Sequence, residues 1–157
     1  MYEDELPEQI VPVDSKLLEP IEIDPPCDFT NFAYMSGRSG MNDNVRVDVD
    51  DHFDETDINL RFYSTTCYIV ITHKSRYGLK SLKNQIINFS EKKNHPIEMK
   101  TLDYGFSSYP TVYEKSGKMY IEVLDNEDIK FTWCDVIMSD NNDNNTVITR
   151  GSCTVTP

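Results

Sequence analysis

Residues 45–50 read Val-Arg-Val-Asp-Val-Asp, with apolar and charged side chains in strict alternation. A two-residue period puts every valine on one face of an extended chain and every charge on the other, the pattern of a strand with one dry side. Segments of the same kind recur between turn signals. Residues 58–64 and 66–73 predict two more strands, the second so continuously apolar over 67–71 that it belongs in the middle of a sheet. Residues 97–102, 129–138 and 146–155 predict others. Residues 111–113 and 118–124 flank Lys115-Ser116-Gly117, which predicts a hairpin turning on the glycine. Residue usage agrees: Ala33 is the only alanine and there are nine tyrosines, so the best helix former is nearly absent while a strand-favouring residue is plentiful.

One segment breaks the two-residue rule. Leu79, Leu82, Ile86 and Phe89 recur at three- and four-residue spacing, with Lys80, Lys83, Asn84 and Gln85 between them. That spacing predicts an amphipathic helix over about 79–91, ending before Pro96. The expected fold is therefore α+β and strand-dominated. It is an antiparallel sandwich or open barrel over residues 27–157, with one packed helix. Ahead of it, residues 1–26 contain Pro7, Pro12, Pro20, Pro25 and Pro26, which exclude a continuous helix or a central strand. This stretch predicts an extended acidic arm lying along a surface.

The net charge of −12 is concentrated at one end. Sixteen Asp and Glu stand among the first 60 residues against Lys16, Arg38 and Arg46, and the remainder of the chain nets about +1. Nucleic-acid binders collect phosphate through exposed Lys and Arg, so this balance argues against that class; the acidic part can dock on the chain's own basic stretch from Lys74 to Lys100 or steer a basic protein partner. No apolar run approaches the roughly 18 residues a helical membrane span needs. The first residues have neither the positive n-region nor the apolar core of a signal peptide.

Cys27, Cys67, Cys134 and Cys153 form no CxxC pair, so a zinc ribbon or a thioredoxin-like site is not expected. Two readings stand. As a disulfide framework the four cysteines allow three pairings; Cys134 and Cys153 lie on adjacent predicted strands, and a bridge between them would close a loop of about 20 residues. Alternatively, all four are buried thiols in a reducing compartment. The sequons Asn88-Phe89-Ser90 and Asn144-Asn145-Thr146 are compatible with a secreted protein.

Asp48, Asp50, Asp51 and Asp54 make the densest supply of oxygen ligands. An EF-hand loop starting at Asp48 would need glycine where Phe53 stands and a bidentate Glu where Asn59 stands, so only a looser cation site is open to this run. Phosphate loops, HExxH pairs and dinucleotide fingerprints are missing, and no cofactor is expected. A Ser/His/Asp hydrolase would draw its base from His73 or His52 and its nucleophile from Ser39, Ser75 or Ser107. Residues 37–41 carry a serine but lack the second glycine of a nucleophile elbow.

Two loops have the composition of contact sites. Tyr104, Phe106 and Tyr109 lie among Gly, Ser and Pro, where stiff aromatic area is available at low entropy cost. Asp140, Asn142 and Asp143 lie in a polar tip over 140–145. The reading is a non-enzymatic module that displays loops to a protein partner, as a virion-surface protrusion or a secreted decoy of a host protein, with a Ser/His/Asp hydrolase as the alternative. Low Ala and Gly with abundant Asn, Ile, Lys and Tyr is the signature of AT-rich codons, which suits a viral origin.

Overall fold

A computed structural model describes residues 23–28, 32–36, 45–51, 55–62, 67–74, 78–91, 96–103 and 111–157. Among them are nine strands: β1 (Ala33–Met35), β2 (Val45–Asp51), β3 (Thr56–Phe62), β4 (Cys67–His73), β5 (Gln85–Asn88), β6 (Ile97–Asp103), β7 (Tyr113–Val123), β8 (Ile129–Ser139) and β9 (Thr146–Val155). All pair antiparallel in one sheet of order β1-β9-β8-β7-β6-β4-β3-β2, with β5 added on β7. The sheet curls into a half-barrel. Its β2 end comes within 8 Å of β9, Cα to Cα. The strand-dominated open barrel read from the alternation is what forms.

The concave face holds the core. Ile58, Leu60, Ile69, Ile71, Met99, Met119, Ile121, Phe131 and Trp133 are fully buried there. Trp133 reaches bottom without a stranded polar atom: its Nε1 donates to Thr149 Oγ1 (3.1 Å), and that hydroxyl donates to the Tyr34 carbonyl (2.6 Å). As expected, β4 is central, between β3 and β6. Val70 and Thr72, on its convex side, are also buried, beside Asn59, Asp57, Glu98 and Lys100 of the neighbouring strands.

The helix over 79–91 does not form. Residues Gly78–Ser81 make a single 3₁₀ turn, closed by the Leu82 N–H to Leu79 carbonyl bond (3.0 Å), and Gln85–Asn88 form β5. In β5 the burial alternates, with Ile87 buried and Ile86 half exposed. The physical reason lies in β7. Strand β6 pairs with it only at Lys100–Tyr113, so residues 118–121 need another partner, and β5 supplies one. Pairing of buried backbone groups outweighs a weak helical period in a segment with two adjacent β-branched residues.

The hairpin expected at Gly117 is also replaced. Strand β7 runs unbroken from Tyr113 to Val123, and Gly117 sits in a bulge within it. Its φ of 104° suits glycine, and a Cβ there would lie 2.8 Å from Val136 Cα on β8. Where β6 parts from β7, side chains take over the pairing. Glu114 Oε2 accepts from the Met99 N–H (3.1 Å) and Thr101 Oγ1 from the Val112 N–H (3.2 Å).

A bridge forms, as one of the two cysteine readings expects, but not between Cys134 and Cys153. Cys27 is bridged to Cys134, with Cα atoms 6.0 Å apart and a sequence separation of 107. Cys153 is a buried thiol whose pKa is pushed up to about 12 by burial. The side chain of Cys67 lies outside the described residues. Residues 23–28 thus cross the convex face of β8. The bridge to Cys134 is flanked by an ion pair of Asp28 with Lys130 (3.8 Å), and Thr132 between these anchors is buried. Residues 1–22 of the predicted arm lie outside the described residues.

Candidate functional site

Strand β8 reads Val136-Ile137-Met138 near its end. Neighbouring side chains of a strand face opposite ways, so Val136 and Met138 enter the core and Ile137 is turned out. Its cross-strand partner is Ile148 on β9, where Val147 and Thr149 face in. Ile137 and Ile148 are 38% and 40% exposed, an apolar pair on the convex face.

Two irregularities put charged groups beside that pair. The β8–β9 register shifts between Trp133 and Val136, and Asp135 takes a φ of 55° in the bulge. Its Oδ1 then meets Arg150 Nε at 3.4 Å. The Arg150 guanidinium lies 5.0 Å from the centroid of the Tyr34 ring on β1, a cation–π contact. Ser36 ties β1 down by donating its N–H to the Ile148 carbonyl (2.9 Å) and accepting from the Ile148 N–H through Oγ (2.8 Å). Tyr34, Ser36, Asp135, Ile137, Ile148 and Arg150 together line a shallow hollow of about 340 Å³. Apolar walls, an aromatic ring, a stacked Arg and a charged rim are the composition of a protein-binding patch.

The tip predicted over 140–145 stands at the end of the same hairpin. Asp140 organises it: Oδ1 accepts from the N–H groups of Asn142 (3.2 Å) and Asn144 (2.9 Å), and Oδ2 accepts from Asn145 Nδ2 (2.7 Å). The Asn145 amide foremost, then the backbone donors, hold the Asp140 carboxyl below the usual range. Asp143 accepts from Ser139 Oγ (2.6 Å) and lies 3.7 Å from Lys115 Nζ. The structure therefore brings Asp140, Asn142 and Asp143 together in one turn.

The other candidates fall elsewhere. Tyr104, Phe106, Tyr109, His52, Ser39, Ser75, Ser107 and Asp54 lie outside the described residues. His73 is buried at the end of β4, and its Nδ1 has no hydrogen-bond partner among the described residues. That nitrogen is where a carboxylate would orient a catalytic base. Burial alone lowers its pKa. On β2, Asp48 is engaged by Arg46 (3.2 Å) and Arg61 (3.7 Å), and among the described residues no three His, Cys, Asp or Glu form a metal-holding group.

A second hollow, about 390 Å³, opens between the 3₁₀ turn and the β7–β8 connection over Leu79, Leu82 and Ile129. Both oxygens of Asp128 there are already bonded, Oδ1 to Thr156 Oγ1 (2.9 Å) and Oδ2 to Asn126 Nδ2 (3.0 Å), which removes its best orienting group.

Tyr34, Ile137, Ile148 and Arg150 were not among the candidates read from the sequence. The available signal was the run Val136-Ile137-Met138: three consecutive apolar residues in a strand must expose the middle one when the flanking pair faces the core. Among the described residues no helix is long and apolar enough to cross a membrane. No family model, curated protein or solved structure matches the chain.

Proposed function

We propose that this protein is a non-enzymatic binding module that holds a protein partner on the convex face of the β8–β9 hairpin. The observation that carries the reading is the half-exposed Ile137–Ile148 pair beside the Tyr34–Arg150 stack. An apolar centre ringed by a stacked Arg and a paired Asp supplies desolvation energy at its core and specificity at its rim. The acidic turn over 140–145 borders this face, and with the excess negative charge of residues 1–60 it steers a basic partner at range. The bridge between Cys27 and Cys134 supports work in an oxidising setting, at a virion surface or as a secreted decoy of a host protein.

The test is a comparison of three full-length baits: wild type, Ile137→Asp/Ile148→Asp, and Asp140→Asn/Asp143→Asn. Partners are captured from candidate host extracts at low and high salt. The expected result is one partner lost with the isoleucine variant at both salts. The tip variant slows capture at low salt only. A partner retained by the isoleucine variant overturns this face as the site.

A further inference from the structure

We propose that Asn144 is an N-glycosylation site. It opens the sequence Asn144-Asn145-Thr146, the acceptor pattern with a non-proline middle residue. Three features of the fold select it. The turn carrying it is the exposed tip of the β8–β9 hairpin, and Asn144 and Thr146 are both exposed. The tip is held by Asp140 through the backbone N–H of Asn144, so the fold leaves the side-chain amide of Asn144 without a hydrogen bond among the described residues. A sugar on Nδ2 therefore disturbs no contact that shapes the turn. Finally, the bridge between Cys27 and Cys134 requires an oxidising compartment, the kind of setting in which lipid-linked oligosaccharides are transferred.

The second acceptor sequence is built differently. Asn88 is half-buried at the end of β5, and its Oδ1 accepts from the Ser90 N–H (3.0 Å). Phe89, the middle residue, is 5% exposed and its N–H donates to the Gly117 carbonyl (2.9 Å). Asn88 is thus tied into the end of β5 beside the buried Phe89, whereas Asn144 stands on an exposed turn.

The transfer needs a polyprenyl-diphosphate oligosaccharide as donor. Asn144 Nδ2 forms a bond to C1 of the first sugar, the C1–O bond to the diphosphate breaks, the prenyl diphosphate leaves with the electron pair, and the amide nitrogen gives up one proton. Nothing is oxidised or reduced.

The full chain, secreted from eukaryotic cells behind an added leader, is the material for the test. Intact mass is read before and after a glycan-removing amidase, which converts a modified Asn to Asp. We expect one glycan, with Asp found at 144. It should be absent from Asn144→Gln and from Thr146→Val, kept by Thr146→Ser, and unchanged by Asn88→Gln. The Cys27–Cys134 peptide, recovered without reduction, reports that each variant has folded in an oxidising compartment. An unmodified mass on bridged protein overturns the proposal, as does a glycan that follows Asn88 or a secreted chain that never forms the bridge. Because the readout is a mass, failure here leaves the isoleucine test of the binding face unaffected.

Discussion

Strands β2, β3, β4 and β6 pair residue for residue, whereas β7, β8 and β9 shift register at Glu114/Ser116, Ser116/Lys118 and Trp133/Val136. The regular half is a wall of seven-residue strands whose convex side is knit by cross-strand polar pairs, such as Thr72 Oγ1 to Asp57 Oδ1 at 2.8 Å. The irregular half has strands of ten and eleven residues that bend at bulges over Trp133 and are crossed by the 23–28 segment. Bulges increase local twist and re-aim side chains. Without the one at Asp135, its carboxylate would not stand beside Arg150 on the convex face. The lesson is that the uniform half supplies rigidity, and the departures from uniformity generate both the curvature and the surface proposed to bind.

The sharpest break of this contrast is removal of the clamp. The bridge between Cys27 and Cys134 spans 107 residues, and in the chain-entropy model a loop of that size contributes about 4–5 kcal/mol. Cys27→Ser/Cys134→Ser should therefore remove roughly a third or more of the folding free energy, since ordinary domains have only about 5–15 kcal/mol in total, and lower the denaturant midpoint in proportion. Urea titration of the oxidised wild type against the double variant measures it. A midpoint within error of wild type would mean that the 23–28 segment is not what holds the irregular half.

The bulge comes next in size. Gly117→Ala imposes a side chain at φ 104° and at 2.8 Å from Val136 Cα, where backbone must yield, so a loss of about 1–3 kcal/mol is expected. Asn59→Ala, on the convex side of the regular β3, should stay within about 0.5 kcal/mol. Equal losses at the two positions would erase the distinction between the halves.

Strands of both halves were legible: β2, β3, β4, β6, β8 and β9 were each placed within two residues of their bounds. Alternation such as Val45-Arg46-Val47-Asp48 marks a strand but does not tell whether its register with a neighbour is kept, as on β2 and β3, or broken, as between β8 and β9 at Trp133/Val136. At Gly117 a turn and a bulge ask for the same residue, and only the neighbouring strand decides between them. At 79–89 a helix period and a strand end share the same leucines and isoleucines, and the unpaired stretch of β7, more than thirty residues on, settles the choice. The partner of Cys134 was illegible because contact across 107 residues has no local signature. Of the site, the polar tip was legible as a loop. The isoleucine face was missed although its signal was local: in Val136-Ile137-Met138 the flanking pair faces the core, which turns Ile137 out.

The last effect concerns the regular half and reads its dryness. His73 is 4% exposed, its Nδ1 lacks a partner among the described residues, and desolvation lowers its pKa below 6.5. Well above pH 6.5 the ring is neutral in both the folded and the unfolded chain and contributes no slope. As the pH falls below 6.5 the unfolded chain takes up a proton that the folded chain resists. Stability is then lost until the depressed folded pKa is passed, with a slope of at most about 1.4 kcal/mol per pH unit. His73→Leu removes this component. The difference in unfolding free energy between wild type and variant, followed from pH 7.5 to 4.5, should be flat at the top of the range and then shift in favour of the variant. Parallel curves throughout would mean that the imidazole is hydrated and that the end of β4 is wet, which would make the regular half the looser of the two.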